Sequence, residues 1–527
     1  MSALLTDVRC QYLAGEPIVA AGLPAQVASA VVRTAFGRTF AGHVHEGQAR
    51  FTEIPAGTHT VELYAADDRL LAEELTNVRE QPGDDPIMGF ATSFDAASVP
   101  ATLDWLGQLR CTVVQVYDWM ERYSEPLGPA GAYRDRLGRE IDRGALESLI
   151  AGIRSRGAVA QAYAPVAAAD PGTHRESRLF RSDGAQQALG DLLEIMDPGD
   201  PAWQQHWLAR YGAAADALGF NGFHLDTYGY PRAPLSAAGM TVPIAAAYES
   251  FIRAVRESRP RDVISFNQVN GVPSAIKPAS PPGFRYVEAW PPNDRWRHLE
   301  ALMARSAGPA ARQGDTLAIY PPVWDGDRDQ GLLTVVLTEA ITTALGIGTL
   351  IWGDATGALR HPYYVDHQRL SEAEADTAIA WHRFALRCRD LFRFGTDTSW
   401  YELDDENAAV TVAAAVPAKP EPVGGALFTR IVRDAQTIVI SMIDLSGSRD
   451  GSWSEGTAAG ICDTATVAAL VEQPDQWRAS VAARGCDDGR FAPVDLAVGP
   501  HREGRAITCE VPIVGGWSVV RMENKER

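Results

Sequence analysis

Residues 221–232 read NGFHLDTYGYPR. A short apolar run, Gly222 to Leu225, stops on the carboxylate of Asp226, and the chain then turns through Thr227, Tyr228, Gly229 and Tyr230. A carboxylate at the end of a buried strand is costly to desolvate unless a partner or a reaction meets it there. Which fold brings a strand end to such a place can be read by following the pattern outward.

Upstream, Asp200-Pro201 pairs a capping carboxylate with proline at the first helical position. It opens a helix with Trp203, Trp207 and Tyr211 on one face and a stop near Gly219. Further strand signals lie at 87–95 (IMGFATSFD), 111–119 (CTVVQVYDW) and 158–166 (AVAQAYAPV), separated by helical spacings such as Leu146, Leu149, Ile150 and Ile153. Downstream they recur at 262–270 (DVISFNQVN), 285–290 (RYVEAW), 316–324 (TLAIYPPVW) and 348–354 (GTLIWGD). Eight strands alternating with helices predict a (β/α)8 TIM barrel, whose site lies at the carboxyl ends of the strands. Asp226 stands at such an end.

The flanks are β-patterned. Residues 38–65 alternate as two strands around the turn IPAGTH, giving a small sandwich over 1–86 that closes at the polar linker NVREQPGDDP. The barrel is expected over 87–394. Segments 435–447 and 506–522 then mark a second β-sandwich over 395–527.

The chain of 527 residues is 46% apolar and 22% charged, as in a globular protein, with net charge −19 and pI about 5.1. That balance argues against nucleic acid or an anionic membrane as partner and fits a neutral ligand. No run of 18 apolar residues occurs, and the N-terminus has no basic start followed by an apolar core. Six scattered cysteines lack CxxC spacing. The expectation is a cytoplasmic protein with reduced thiols, or a secreted one if a leader has been removed. His43 and His45 share one face of an alternating strand, and no phosphate-loop pattern is present, so neither metal nor cofactor is expected.

Collecting the strand ends brings together Tyr117, Asp118 and Trp119 from strand two, Tyr163 from three, and His224 and Asp226 from four. Asn267 and Asn270 come from five, Glu288 and Trp290 from six, Trp324 and Asp325 from seven and Asp354 from eight. Aromatic faces stack on sugar rings while carboxylates and amides bond hydroxyls, so the set suits a saccharide. Glycoside cleavage needs two carboxyl groups in different protonation states. Glu288, between Val287 and Ala289 and close to Trp290, is in an apolar setting that favours its protonated form. Asp226, with His224 two residues before it and hydroxyls after it, is favoured as the ion. Asp226 is thus the candidate nucleophile and Glu288 the candidate acid/base.

In order along the chain, VQVYDWM (114–120), MDPGDPAWQ (196–204), GFHLDTYG (222–229), FNQVNG (266–271) and VEAWPPN (287–293) resemble glycoside hydrolase family 66. That family contains endo-dextranases and cycloisomaltooligosaccharide glucanotransferases. The resemblance implies a TIM barrel between an N-terminal immunoglobulin-like β-sandwich and a C-terminal Greek-key β-sandwich. It also implies a retaining mechanism with nucleophile and acid/base at Asp226 and Glu288. Two departures stand out. YAPVAAA (163–169) keeps Tyr163 but has Ala164 and Val166 where the family commonly has asparagine and tyrosine, and no stretch is long enough for the carbohydrate-binding module inserted in the cyclising enzymes.

The leading expectation is a hydrolase of α-1,6 linkages in dextran or isomaltooligosaccharides, with a preference for short chains. Substrate contacts are expected from Tyr117, Asp118, Trp119, Tyr163, His224, Asn267, Trp290, Trp324 and Asp354. A transglycosylase on the same substrates, a glycosidase of other linkage specificity and a non-catalytic carbohydrate-binding protein are the alternatives. An α-amylase-type barrel fits less well, because His224 stands where such enzymes carry arginine two residues before the aspartate.

Overall fold

The computed structural model describes residues 8–227, 233–273, 283–307, 314–361, 367–404, 408–486, 489–501 and 504–525. All eight expected barrel strands are present, six of them shorter than the runs that announced them and the sixth displaced two residues upstream: Met88–Ala91, Val113–Val116, Val159–Pro165, Gly222–Asp226, Val263–Asn267, Gly283–Glu288, Thr316–Ala318 and Gly348–Leu350. They form one parallel sheet in sequence order, nearly closed as a barrel. Helices Ser98–Gln108, Arg143–Ser155, Pro201–Leu218, Ile244–Ser258, Trp296–Ala307, Arg328–Ala344 and Glu372–Cys388 surround it. Between strands five and six there is no helix among the described residues. Among the described residues no helix is long and apolar enough to cross a membrane.

Local chemistry sets the element ends. The Asp200 side chain accepts a hydrogen bond from the Ala202 N–H, Pro201 takes the first helical position, and Gly219 ends that helix in the left-handed region at φ 85°. Strand four then begins at Gly222, which points into the barrel. A Cβ there would lie 2.5 Å from the Val263 carbonyl oxygen and 3.0 Å from the Gln161 side chain. The space it leaves is filled by Gln161, whose amide N–H groups donate to the Phe223 and Val263 carbonyls.

Two apolar layers divide the work, as the period-two alternation of the strands requires. Met88, Phe90, Val113, Val159, Val263, Phe284, Tyr286, Ala318, Tyr320 and Leu350 fill the barrel interior. The opposite strand faces join the helices in the larger outer core.

The N-terminal strands form two sheets. Gln48–Phe51 pairs with Ile18–Ala20 and His43–His45, while Gly57–Tyr64 pairs with Ser29–Thr34 and Leu70–Arg79. The turn IPAGTH therefore crosses from one sheet to the other and does not close the pair expected around it. The C-terminal strands likewise form a larger and a smaller sheet with their own core. Trp517 of the larger sheet packs against Trp381 and Phe384 of the last barrel helix, ring centroids 6.2 and 4.7 Å apart, which joins this domain to the outer core of the barrel.

Candidate active site

Strands four, five and six end on Asp226, Asn267 and Glu288, and one amide joins the three. The Asn267 Nδ2 group donates to Asp226 Oδ1 at 2.8 Å and to Glu288 Oε2 at 2.9 Å. Laid end to end, those two bonds cap the separation of the two oxygens at about 5.7 Å. Asn267 itself is buried, so its position is fixed by the barrel.

Each carboxylate has further donors. Asp226 accepts from the Tyr163 hydroxyl at 2.8 Å and from the Thr227 backbone N–H. Glu288 accepts from the Tyr320 hydroxyl at 2.7 Å and from the Trp290 indole N–H at 3.1 Å. The Tyr320 hydroxyl is in turn bonded to that of Tyr286. Burial pushes both carboxyl groups above their ordinary values, opposed by these hydrogen bonds. For Glu288 the charge of Asp226 adds to burial, and its pKa rises to about 7. Asp226 therefore loses its proton first and Glu288 holds one near neutral pH.

Tyr117 shares the mouth, its ring 4.3 Å from that of Tyr163 and 5.1 Å from that of Phe90, and it is only partly buried. Asp118, in the left-handed region at φ 49°, is buried beside Arg139 at 3.7 Å, and burial lifts its pKa to about 7. Tyr117, Tyr163, Asn267 and Trp290 thus surround the carboxylate pair.

Four expected contacts stand elsewhere. Trp119 is fully buried in the layer between sheet and helices, its indole N–H bonded to the Tyr163 carbonyl and its ring against Tyr211 and Phe220. No face is left for a sugar. Trp324 is buried in the same outer core, against the helix at Gly331. Asp354 is fully buried and accepts from the N–H groups of Thr92 and Ser93 at 3.0 and 2.8 Å, so it clasps strand eight to strand one.

His224 lies one layer below the carboxylates, between Tyr163 and Tyr286. Because Gln161 donates through both its N–H groups, its oxygen must accept from Ser265, and Ser265 must accept from His224 Nδ1. Burial lowers the pKa of this histidine to about 3, so it is a neutral support and adds no charge beside Asp226. Tyr228, Gly229 and Tyr230, which follow Asp226 in sequence, lie outside the described residues.

The sequence reading missed Tyr320 and Tyr286. Tyr286 pairs with Asn267 in register, and Glu288 with Ala318, so Tyr320 continues the inward face one pleat beyond Ala318. Period-two counting from the true strand end would have found it.

Two carboxyl groups this close, one ionised and one protonated, can attack a carbon centre and protonate a leaving oxygen. A cycloisomaltooligosaccharide glucanotransferase from Niallia circulans is 23% identical over 267 residues, which cover 45% of this chain and 28% of that relative's length. The crystal structure of a Paenibacillus cycloisomaltooligosaccharide glucanotransferase complexed with cycloisomaltoheptaose superposes with a TM-score of 0.80 at 15% identity, over 98% of both chains. An α-amylase from Geobacillus thermoleovorans complexed with acarbose shares the fold more distantly, with a TM-score of 0.51 at 9% identity over 84% of this chain and 99% of that one. The model of glycosyl hydrolase family 66 matches residues 61–521, a span that holds the barrel, its carboxylate pair, the end of the N-terminal β-domain and nearly all of the C-terminal one, and the chain belongs to that family.

Proposed function

We propose that the chain acts on α-1,6-linked glucose chains, isomaltooligosaccharides or dextran, by a retaining double displacement. A carboxylate oxygen of Asp226 attacks the anomeric carbon as the glycosidic bond breaks, and Glu288 gives its proton to the leaving oxygen. Glu288, now ionised, takes a proton from the incoming acceptor, whose oxygen attacks the same carbon and frees Asp226. The single observation that supports this best is the shared Asn267 amide. It holds one oxygen of each carboxylate within about 5.7 Å of the other, close to the roughly 5–5.5 Å of retaining enzymes and short of the roughly 6.5–9.5 Å of inverting ones.

The acceptor is water in a dextranase and a sugar hydroxyl in a glucanotransferase. The two cycloisomaltooligosaccharide glucanotransferases named above favour transfer as fully as the sequence reading favours hydrolysis. Incubation with an isomaltooligosaccharide ladder and with dextran, beside an Asp226→Asn control, decides between them by the ratio of transfer to hydrolysis products. Proton NMR of the first-formed product gives its anomeric configuration. An initial β-anomer would overturn retention, and products that persist in the control would remove Asp226 from the mechanism.

A further inference from the structure

The segment after strand six carries Trp290, whose indole reaches Glu288, yet from Ala289 to Asp294 it has no regular structure. Inside the barrel it is tied mainly through Asn270 and Asn293. The Trp290 backbone N–H donates to Asn270 Oδ1 at 2.8 Å, and Asn293 Nδ2 donates to the same oxygen at 2.9 Å and to the Trp290 carbonyl at 3.2 Å.

The Arg305 guanidinium also donates to Asn293 Oδ1 at 3.1 Å and the Trp296 indole N–H to the Thr338 hydroxyl at 2.8 Å, both within the barrel, and a further set of ties comes from the C-terminal domain. The Trp453 indole N–H donates to the Asn293 carbonyl at 2.8 Å, and the Trp453 backbone N–H to that of Asp294 at 3.1 Å. The Ser452 hydroxyl donates to the Asp294 carbonyl at 3.0 Å, and the Trp296 N–H to the Gly451 carbonyl at 2.9 Å. Arg295 pairs with Ser452 as an antiparallel bridge and forms an ion pair with Asp450 at 2.6 Å. Trp453 is buried, so its indole is held as firmly as a core side chain. An irregular loop bonded this densely to a second domain takes its conformation from that domain as well as from the barrel.

We propose that the C-terminal domain is a working part of the site: its loop 450–454 fixes the segment 290–296, and Trp453, through Asn293, is the positioning residue that keeps the Trp290 indole on Glu288. The inference rests on the reading of Glu288 as acid/base. It gives the C-terminal sandwich a task beyond covering the barrel helices. Trp453 touches neither substrate nor Glu288, so its effect must pass through Trp290.

The test uses the full chain and two isomaltosides, a natural oligosaccharide and a dinitrophenyl derivative whose leaving group departs without protonation. For Trp453→Phe, kcat/KM on the natural substrate should fall roughly three- to tenfold, the worth of one net hydrogen bond, with the dinitrophenyl substrate little changed. Trp290→Phe should show the same split, and the double variant should be no worse than Trp290→Phe alone, since residues acting in series are not additive. Asp450→Asn, a surface change, should show a smaller split and serves if Trp453→Phe folds poorly. Equal losses on both substrates, full additivity, or no split at Trp453 and Asp450 while Trp290→Phe shows one would each overturn the proposal. No split at Trp290→Phe would instead bring down the acid/base reading on which it rests.

Discussion

Replacing Tyr320 by phenylalanine tests the electrostatics of the pair most directly. The ring stays, and only the hydroxyl that donates to Glu288 Oε1 at 2.7 Å is lost. A hydrogen bond to a charged group contributes about 1.5–3 kcal/mol, and it favours the ionised form alone. At about 1.4 kcal/mol per pKa unit, its loss should raise Glu288 by about one to two units, from about 7 to about 8–9. Removing a polar group beside a buried carboxyl acts in the same direction. Asp226, the Asn267 amide and the Trp290 indole still face Glu288, so the rest of its surroundings is unchanged. The assay is kcat/KM on an isomaltooligosaccharide against pH. Its alkaline limb reports the loss of the Glu288 proton in the free enzyme and should move up, while the acid limb, set by Asp226 with Tyr163, Asn267 and Thr227, should stay. An alkaline limb that stays near 7 or moves down, in a variant that unfolds at the parental temperature, would refute the assignment of Glu288 as the titrating acid.

The remaining predictions concern stability. Glu288 binds its proton more tightly in the fold, at about 7 against an ordinary 4.5, so its favourable contribution is complete below about pH 4.5 and is lost as pH rises through about 7. Glu288→Gln should therefore be more stable than the parent by about 1–3 kcal/mol at pH 8 and show no such gain at pH 4.5, as measured by urea unfolding; an equal gain at both would mean that the buried charge is not its source. Trp119→Phe should cost about 1–3 kcal/mol in the same assay, because the buried Tyr163 carbonyl loses its indole donor. A raised KM for oligosaccharide with unchanged stability would return this ring to the barrel mouth.

What was legible from the residues follows from where their signals reside. The eight strands announce themselves by apolar runs bounded by turns and separated by helical spacings, and a capped helix such as Pro201–Leu218 needs only local residues. The carboxylates were legible because Asp226 ends its apolar run and Glu288 stands alone among apolar neighbours near the end of its own. Aromatic residues carry no such mark. Trp324 ends the run 316–324, but the strand stops at Ala318, so the inward face continues to Tyr320 and the chain then carries Trp324 under a helix. Trp119 has the parity of the inward-facing Val113, but the strand ends at Val116 and Asp118 takes the left-handed region at φ 49°, so the alternation breaks and the ring joins the outer core.

Asp354 shows a different limit. It sits at the expected end of strand eight, and its carboxylate meets the backbone N–H groups of Thr92 and Ser93. Sequence distance hides that meeting, because the first and last strands become neighbours only when the barrel closes. The brace on Trp290 is hidden for the same reason: Trp453 and Asn293 are separated by 160 positions. Closure and domain docking thus decide which strand-end side chains face the mouth unpaired and which are consumed in holding it together. That division leaves Asp226 and Glu288, bridged by one amide, partly open at the centre of the barrel.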